Sequence, residues 1–251
     1  PLVSSSAASD VYKRQSYYRG SCLNICIIPA RGGSKRIPRK NIKKFAGKPM
    51  IEWSISAAIN ADCFDRIIVS TDDSEISKLA KSSGAEVPFI RPKSISEDYT
   101  PTGVVVKHAL EWLEFSDLSN INVCCLYATA PFVTSNDINQ SLSILNPNVC
   151  DFVLPVTSYA FPIQRALIID EKTNLLEMRE PDEFSSRSQD LKESFHDAGQ
   201  FCWGLAEAWI SGDTPFKRKT LPYNLPRFRV QDIDTNEDWK KAELLHKALY
   251  A

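Results

Sequence analysis

No apolar run in this chain approaches the roughly 20 residues that a membrane-spanning helix needs, so no membrane partner is expected. Charge of one sign is missing too. Thirty Lys and Arg against 31 Asp and Glu leave a formal net charge of −1, and no global field draws the protein to nucleic acid. No basic helix or aromatic RNA-binding motif is visible, so no nucleic-acid partner is expected either. The seven cysteines are odd in number and include no CxxC pair, which argues against a zinc site. Most lie in or beside apolar runs, as reduced, buried thiols of a cytoplasmic protein would. Neither GxxxxGK[ST] nor GxGxxG occurs, so neither a P-loop NTPase nor a dinucleotide fold is indicated. There is no internal repeat.

What is present is an alternation. Residues 1–22 are Ser-rich, aperiodic and without an apolar signal core, and we expect a disordered or non-native extension there. The fold is expected over 23–251. Strands are predicted at Leu23–Ile28, Arg66–Ser70, Glu86–Ile90, Ile121–Tyr127, Phe152–Val156, Gln200–Leu205 and Phe228–Val230. Helices are predicted at Pro49–Ala58, Asp73–Ser82, Thr102–Phe115, Ser135–Leu145 (capped by Ser135 or Thr134) and Asn236–Leu249. Strand and helix in turn imply an α/β fold, a parallel sheet with helices on both faces. Ligands of such sheets sit beyond the carboxyl ends of the strands, where 30–41, Ser70–Asp73 and Ala128–Pro131 should converge. Residues 157–196 break the rhythm as a polar excursion with short strand-like pieces such as Ala166–Ile169.

The most informative stretch is IPARGGSKRIPRKN, Ile28–Asn41. Pro29 stops the strand, and Gly32 and Gly33 let the backbone turn where a side chain would block it. Arg31, Lys35, Arg36, Arg39 and Lys40 supply positive charge. A glycine turn after a strand with spaced cations suits a polyphosphate, whereas charge alone suits a solvated basic loop equally well. Solvated surface is the expected fate of Arg36 and Arg39.

Near the other end, DIDT (Asp232–Thr235) sets two carboxylates one residue apart on an extended segment, pointing to one side. Mg²⁺ takes a few carboxylates plus phosphate oxygens and water. Asp232 and Asp234 therefore read as metal ligands, and Asp234 alternatively as a helix cap. Asp72 reads as a cap of the next helix or a ribose contact, with capping the stronger claim. Gln164 and Arg165 offer an amide and a guanidinium, and a guanidinium takes a carboxylate in bidentate fashion. His196 reads as structural.

The loop 28–41, with LYATAPF (126–132), FPIQRAL (161–167), RSQDL (187–191) and HDAGQF (196–201), resembles the cytidylyltransferases that activate nine-carbon acidic sugars. This is the CMP-sialic acid synthetase (acylneuraminate cytidylyltransferase) family, and the later motifs look most like its pseudaminic acid branch. The resemblance implies a mixed, mostly parallel Rossmann-like sheet of the nucleotide-diphospho-sugar transferase type. It implies transfer of CMP from CTP to the anomeric hydroxyl of a nonulosonic acid, releasing pyrophosphate, with Mg²⁺ on Asp232 and Asp234. Ala30, Arg31, Gly32, Gly33, Ser34, Lys35, Asn41, Arg91, Thr102 and Tyr127 would contact nucleotide, with Arg31, Lys35 and Lys40 catalytic. Gln164, Arg165, Arg187, Gln189 and Gln200 would contact sugar, and the excursion would pack against a second subunit of a homodimer.

Departures are visible. Tyr127 stands where the family commonly has glutamine, an expected arginine near His196 is missing, and Cys202 replaces a common aromatic. Both of the first two fit the pseudaminic branch. The alternatives are the same reaction on N-acetylneuraminic, legionaminic or a related acid, and a non-catalytic nucleotide-binding module of the same fold.

Overall fold

The apolar runs become the middle of a sheet. The computed structural model describes residues 22–250; the expected extension therefore lies outside the described residues, apart from Cys22. The strands are β1 (Leu23–Pro29), β2 (Lys44–Phe45), β3 (Lys48–Pro49), β4 (Arg66–Ser70), β5 (Ile121–Leu126), β6 (Phe152–Ser158), β7 (Leu167–Ile169), β8 (Leu176–Met178), β9 (Phe195–Asp197), β10 (Phe201–Leu205) and β11 (Thr220–Asn224). The helices are α1 (Met50–Ala61), α2 (Ser74–Ser82), α3 (Thr102–Trp112), α4 (Ser135–Ile144), α5 (Ala206–Ile210) and α6 (Asn236–Tyr250).

The main sheet runs β11-β6-β10-β5-β1-β4, with β9 also paired to β6. Strands β4, β1, β5, β6 and β11 point one way, and β10 and β9 point the other. The sheet is thus mixed and mostly parallel. Its central strands carry apolar residues on both sides because both faces are covered. On one face α1, α2 and α4 pack through Ile51, Ile55, Ile76, Ala80 and Ile138. On the other, α3 and α5 pack through Val106, Ala109, Leu110, Ala206 and Trp209.

A third apolar cluster lies beyond the strand ends and positions the site. Ile37 from the basic loop, Phe45 from β2, Phe132, Ile233 from DIDT and Trp239 from α6 are all buried together. Burying an isoleucine side chain stabilises by about 2 kcal/mol. Ile37 and Ile233 therefore pin the basic loop and the DIDT segment, almost 200 residues apart along the chain, to one common core.

Four expectations need correction. Glu86–Ile90 is not a strand: it makes a single bridge from Glu86 to Ile68 and then turns away at Pro88. Phe228–Val230 is not one either, because Pro226 opens a 3₁₀ turn over Arg227–Arg229. The cap of α2 is Asp73, whose carboxylate accepts from the N–H groups of Glu75 and Ile76, both at 2.9 Å, and not Asp72. Nor does Asp234 cap α6: Thr235 and Asp238 cap one another there, Asp238 Oδ2 accepting from Thr235 N at 2.8 Å. Helix α4 is capped by Thr134, with Asp137 completing a capping box. The first helix starts at Met50, with Pro49 as its N-cap.

Candidate active site

The carboxyl ends of β1 and β5 open onto a cleft of about 290 Å³, lined among others by Arg31, Lys35, Lys40, Arg91, Tyr127 and Asp234. Ser34, Asn41 and Thr102 line it as well. The predicted nucleotide residues thus meet in one place, apart from Ala30, Gly32 and Gly33, which do not line the cleft. Ala30 N donates to Ser70 O at 2.9 Å and so ties the start of the basic loop to the end of β4.

Hydrogen bonds hold that loop from behind. Gly32 N donates to Asp72 Oδ1 at 2.9 Å, so this N–H is already spent within the protein. Asp72 is a support of the loop rather than a helix cap. Gly32 is required by close approach: a Cβ there would stand 2.8 Å from Asp73 Oδ2. A Cβ on Gly33 would meet nothing within 4 Å. Asn41 Nδ2 donates to Arg31 O at 2.9 Å and closes the loop on itself.

The cations divide by partner. Lys40 is only 18% exposed, with Nζ 2.6 Å from Ile233 O and 3.3 Å from Asp234 Oδ1. Arg36 Nη2 is 2.9 Å from the same Asp234 oxygen. Arg39 turns out of the cleft to Asp73 and Glu75, and is not the solvated surface cation expected. Arg31 and Lys35 both pair with Asp98, on the loop before α3. Arg91 is buried, with Nη2 3.9 Å from Asp72 and Nε donating to Ser96 Oγ at 3.1 Å. Burial disfavours its charge and lowers its pKa, while Asp72 works in the opposite sense.

Opposite the loop, Ile233 points into the third apolar cluster, so its neighbours Asp232 and Asp234 project the other way. Desolvation pushes the Asp232 carboxyl above its usual range, and the neighbouring Asp234 adds to the rise. Asp232 also flanks Gly199, whose Cβ would stand 3.7 Å from Asp232 Cγ. Tyr127 N donates to Gln200 O at 2.9 Å, and its carbonyl accepts from Ser54 Oγ at 2.8 Å. Burial raises the Tyr127 hydroxyl pKa, so the phenol stays neutral.

The sugar candidates are not gathered into this cleft. Gln164 donates to Lys192 O at 2.9 Å, Arg165 to Ser186 O at 2.7 Å, and Arg187 pairs with Asp190. Gln189 lines a second cavity, of about 260 Å³, on the excursion. Gln200 is buried at the sheet end; its Nε2 donates to Arg229 O at 2.7 Å and its Oε1 has no partner among the described residues. His196 rests against Tyr159, with ring centroids 5.0 Å apart, consistent with a structural role.

Sequence reasoning missed Asp98 and the pair Asp137–Arg229. Asp137 is 1% exposed and takes Arg229 at 2.5 and 3.0 Å. Buried carboxylates demand such partners, but nothing local in the sequence marks the pair.

Five of the seven cysteines are buried, Cys63 is half-buried, Cys22 is exposed, and all are free thiols. Among the described residues no helix is long and apolar enough to cross a membrane.

Comparison with known proteins gives the family. The chain is 45% identical over 224 residues to a pseudaminic acid cytidylyltransferase of Campylobacter jejuni, covering 89% of this chain and 96% of that protein. It is 30% identical over 224 residues to a CMP-N,N'-diacetyllegionaminic acid synthase of Legionella pneumophila, covering 88% and 95%. The fold is similar to that of a CMP:2-keto-3-deoxy-manno-octonic acid synthetase solved with CTP, at TM-score 0.64 and 15% identity over 90% of this chain and 99% of that one. A family model described as cytidylyltransferase matches residues 25–200. The chain belongs to the cytidylyltransferase family.

Proposed function

We propose that this chain transfers CMP from CTP to the anomeric hydroxyl of a nonulosonic acid, with pseudaminic acid as the substrate, and releases pyrophosphate. The observation that carries the reading is the 45% identity to a pseudaminic acid cytidylyltransferase across nearly the whole of both chains. The cleft supports it, because Arg31, Lys35, Lys40 and Arg91 line one space beyond the sheet.

In this reaction the sugar hydroxyl oxygen attacks the α-phosphorus, and the bond to the bridging oxygen of pyrophosphate breaks. Such transfers depend on positioning and on neutralising charge spread over phosphate oxygens. Arg31 and Lys35 would hold the triphosphate from the glycine turn. Lys40, half-buried beside Asp234 and fixed by Ile233 O, would face the reacting phosphate with little freedom to reorganise. Ala30, Gly32, Gly33 and Ser34 shape the turn, while Asn41, Arg91, Thr102 and Tyr127 would border the nucleoside. Gln200 and the excursion residues Gln164, Arg165, Arg187 and Gln189 remain our sugar contacts.

Asp232 and Asp234 would hold Mg²⁺. Among the described residues no group of three or more His, Cys, Asp or Glu side chains is arranged to bind an ion unaided. Two hard carboxylates at the edge of a phosphate site fit Mg²⁺, which completes its shell with substrate oxygens and water. Bound Mg²⁺ would supply neutralisation of the phosphate charge.

A homodimer belongs to this reading. Strand β7 is an apolar triplet left in water, with Leu167, Ile168 and Ile169 each more than half exposed, and Leu176 beside them is similarly open. A second copy that covers this hairpin would bring excursion residues towards a neighbouring cleft.

The test is pyrophosphate release from CTP and Mg²⁺ with pseudaminic, N-acetylneuraminic, legionaminic and 2-keto-3-deoxy-manno-octonic acids in parallel. Release with pseudaminic acid is expected. Release with another acid alone would keep the chemistry and overturn the choice of sugar. No release with any would leave the nucleotide-binding module as the better reading.

A further inference from the structure

The two outer cations of the basic loop are already engaged. Arg31 pairs with Asp98 Oδ1, and Lys35 Nζ stands 2.5 Å from Oδ2 of the same carboxylate. One carboxylate thereby spans two cations with its two oxygens, as two oxygens of a phosphate would. These pairs also tether a loop. From residues 93–101, Ile95, Ser96, Glu97, Asp98 and Thr100 line the cleft. Among the described residues, the other side-chain hydrogen bonds of this loop are local ones at its start: Arg91 Nε to Ser96 Oγ at 3.1 Å and Ser96 Oγ to Pro92 O at 2.9 Å. Tyr99, next to Asp98, is 95% exposed and packs on nothing. Lys35 and then Arg31 hold the Asp98 carboxyl below its usual range, so it carries full negative charge at neutral pH. A triphosphate laid on Arg31 and Lys35 would bring like charge against Asp98.

We propose that Asp98 is an internal competitor for the triphosphate: it occupies Arg31 and Lys35, the phosphates have to displace it, and the loop 93–101 moves when they do. The inference rests on the nucleotide reading above and adds to it a residue that sets nucleotide affinity by opposing it. The ordinary expectation for a polar residue in a binding cleft is that its removal weakens binding. Here the sign is reversed.

The experiment is calorimetric titration of the full chain with inorganic tripolyphosphate and with CTP, without Mg²⁺. Asp98→Asn is expected to bind tripolyphosphate about fivefold more tightly than the unmodified chain, the scale set by two exposed ion pairs. Asp98→Ala, which also removes the hydrogen-bonding oxygens, is expected to tighten binding at least as much. Glu97→Gln removes the same charge from the next residue, which also lines the cleft but makes no ion pair with the basic loop among the described residues, and it is expected to tighten binding by less than about twofold. Unchanged or weaker tripolyphosphate binding in both Asp98 variants, with CTP still bound, would overturn this inference alone. Equal tightening by Glu97→Gln would overturn it too, as the signature of a general field. An unmodified chain that binds neither ligand would overturn it together with the nucleotide reading.

Discussion

Asp73 is shared between two tasks. Its carboxylate caps α2 through the N–H groups of Glu75 and Ile76, and it also takes Arg39 Nη1 at 2.5 Å. Those hydrogen bonds, Arg39 first, hold its pKa below the usual carboxylate range. Gly32 lies against it so closely that any Cβ would collide. Gly32→Ala is therefore expected to displace the cap and cost about 1–2 kcal/mol, the range of a lost N-cap. Chemical denaturation measures this, and CTP affinity should fall with it as the turn shifts. Full stability and unchanged affinity would contradict the assignment. The cations of this loop were legible in the sequence because Gly, Pro and basic residues are local signals. Their partners were not: Asp72 and Asp98 meet the loop across 40 and 67 residues, and such pairings leave no local trace. The same limit hid the fact that Arg39 faces Asp73 instead of solvent.

Helix α4 shows how one element holds others in place. Thr134, one of the two caps expected, forms a capping box with Asp137, and Asp137 then binds Arg229 and the Tyr223 hydroxyl of β11. Arg229 in turn accepts Gln200 Nε2 on its carbonyl and leads, three residues on, into Asp232. Removing one partner of a buried pair leaves the other uncompensated. Asp137→Asn is expected to destabilise by about 3 kcal/mol, read by denaturant unfolding. The pH dependence has a definite sign. Burial alone would raise the Asp137 carboxyl, but the hydrogen bonds of Arg229 and Thr134 more than reverse this, so its pKa is lowered. Its stabilisation is present above the ordinary carboxylate range and is lost as pH falls through the depressed folded value. The variant should show a weaker acid-induced loss of stability, and an identical acid limb would refute the role given to Asp137. Elements with strong periodicity were legible from sequence, among them β1, β5, α2 and α3. Strand β11 was not, because Pro222 interrupts it and it lies at the sheet edge, where a proline is tolerated. Glu86–Ile90 misled for the opposite reason: its β-like residues make one bridge only, and Val87 is buried by side-chain packing instead.

For the whole molecule, alternation of strand and helix gave the class of the fold, but not its antiparallel member. Strand β10 enters between β5 and β6, and the excursion 157–196 lets the chain return in that direction. The exposed β7–β8 hairpin is the feature on which the proposed dimer rests. Ile168→Asp and Ile169→Asp together are expected to turn a dimer into a monomer in sedimentation, with the melting temperature of the main fold little changed. A chain that sediments as a monomer before any substitution would refute the dimer. The residues proposed for nucleotide largely meet in one cleft of a single chain, whereas those proposed for sugar do not. The excursion residues Gln164, Arg165 and Arg187 make local contacts within the excursion.

The central claim is that chemistry occurs between the basic loop and the DIDT pair. Its most direct test is the steady-state rate of CMP transfer by Lys40→Ala and Asp232→Ala, each checked for an unchanged circular dichroism spectrum. Each is predicted to lose roughly 10²-fold or more in kcat while remaining folded, the scale of a removed charge-stabilising group. Near-normal rates in both folded variants would contradict the site.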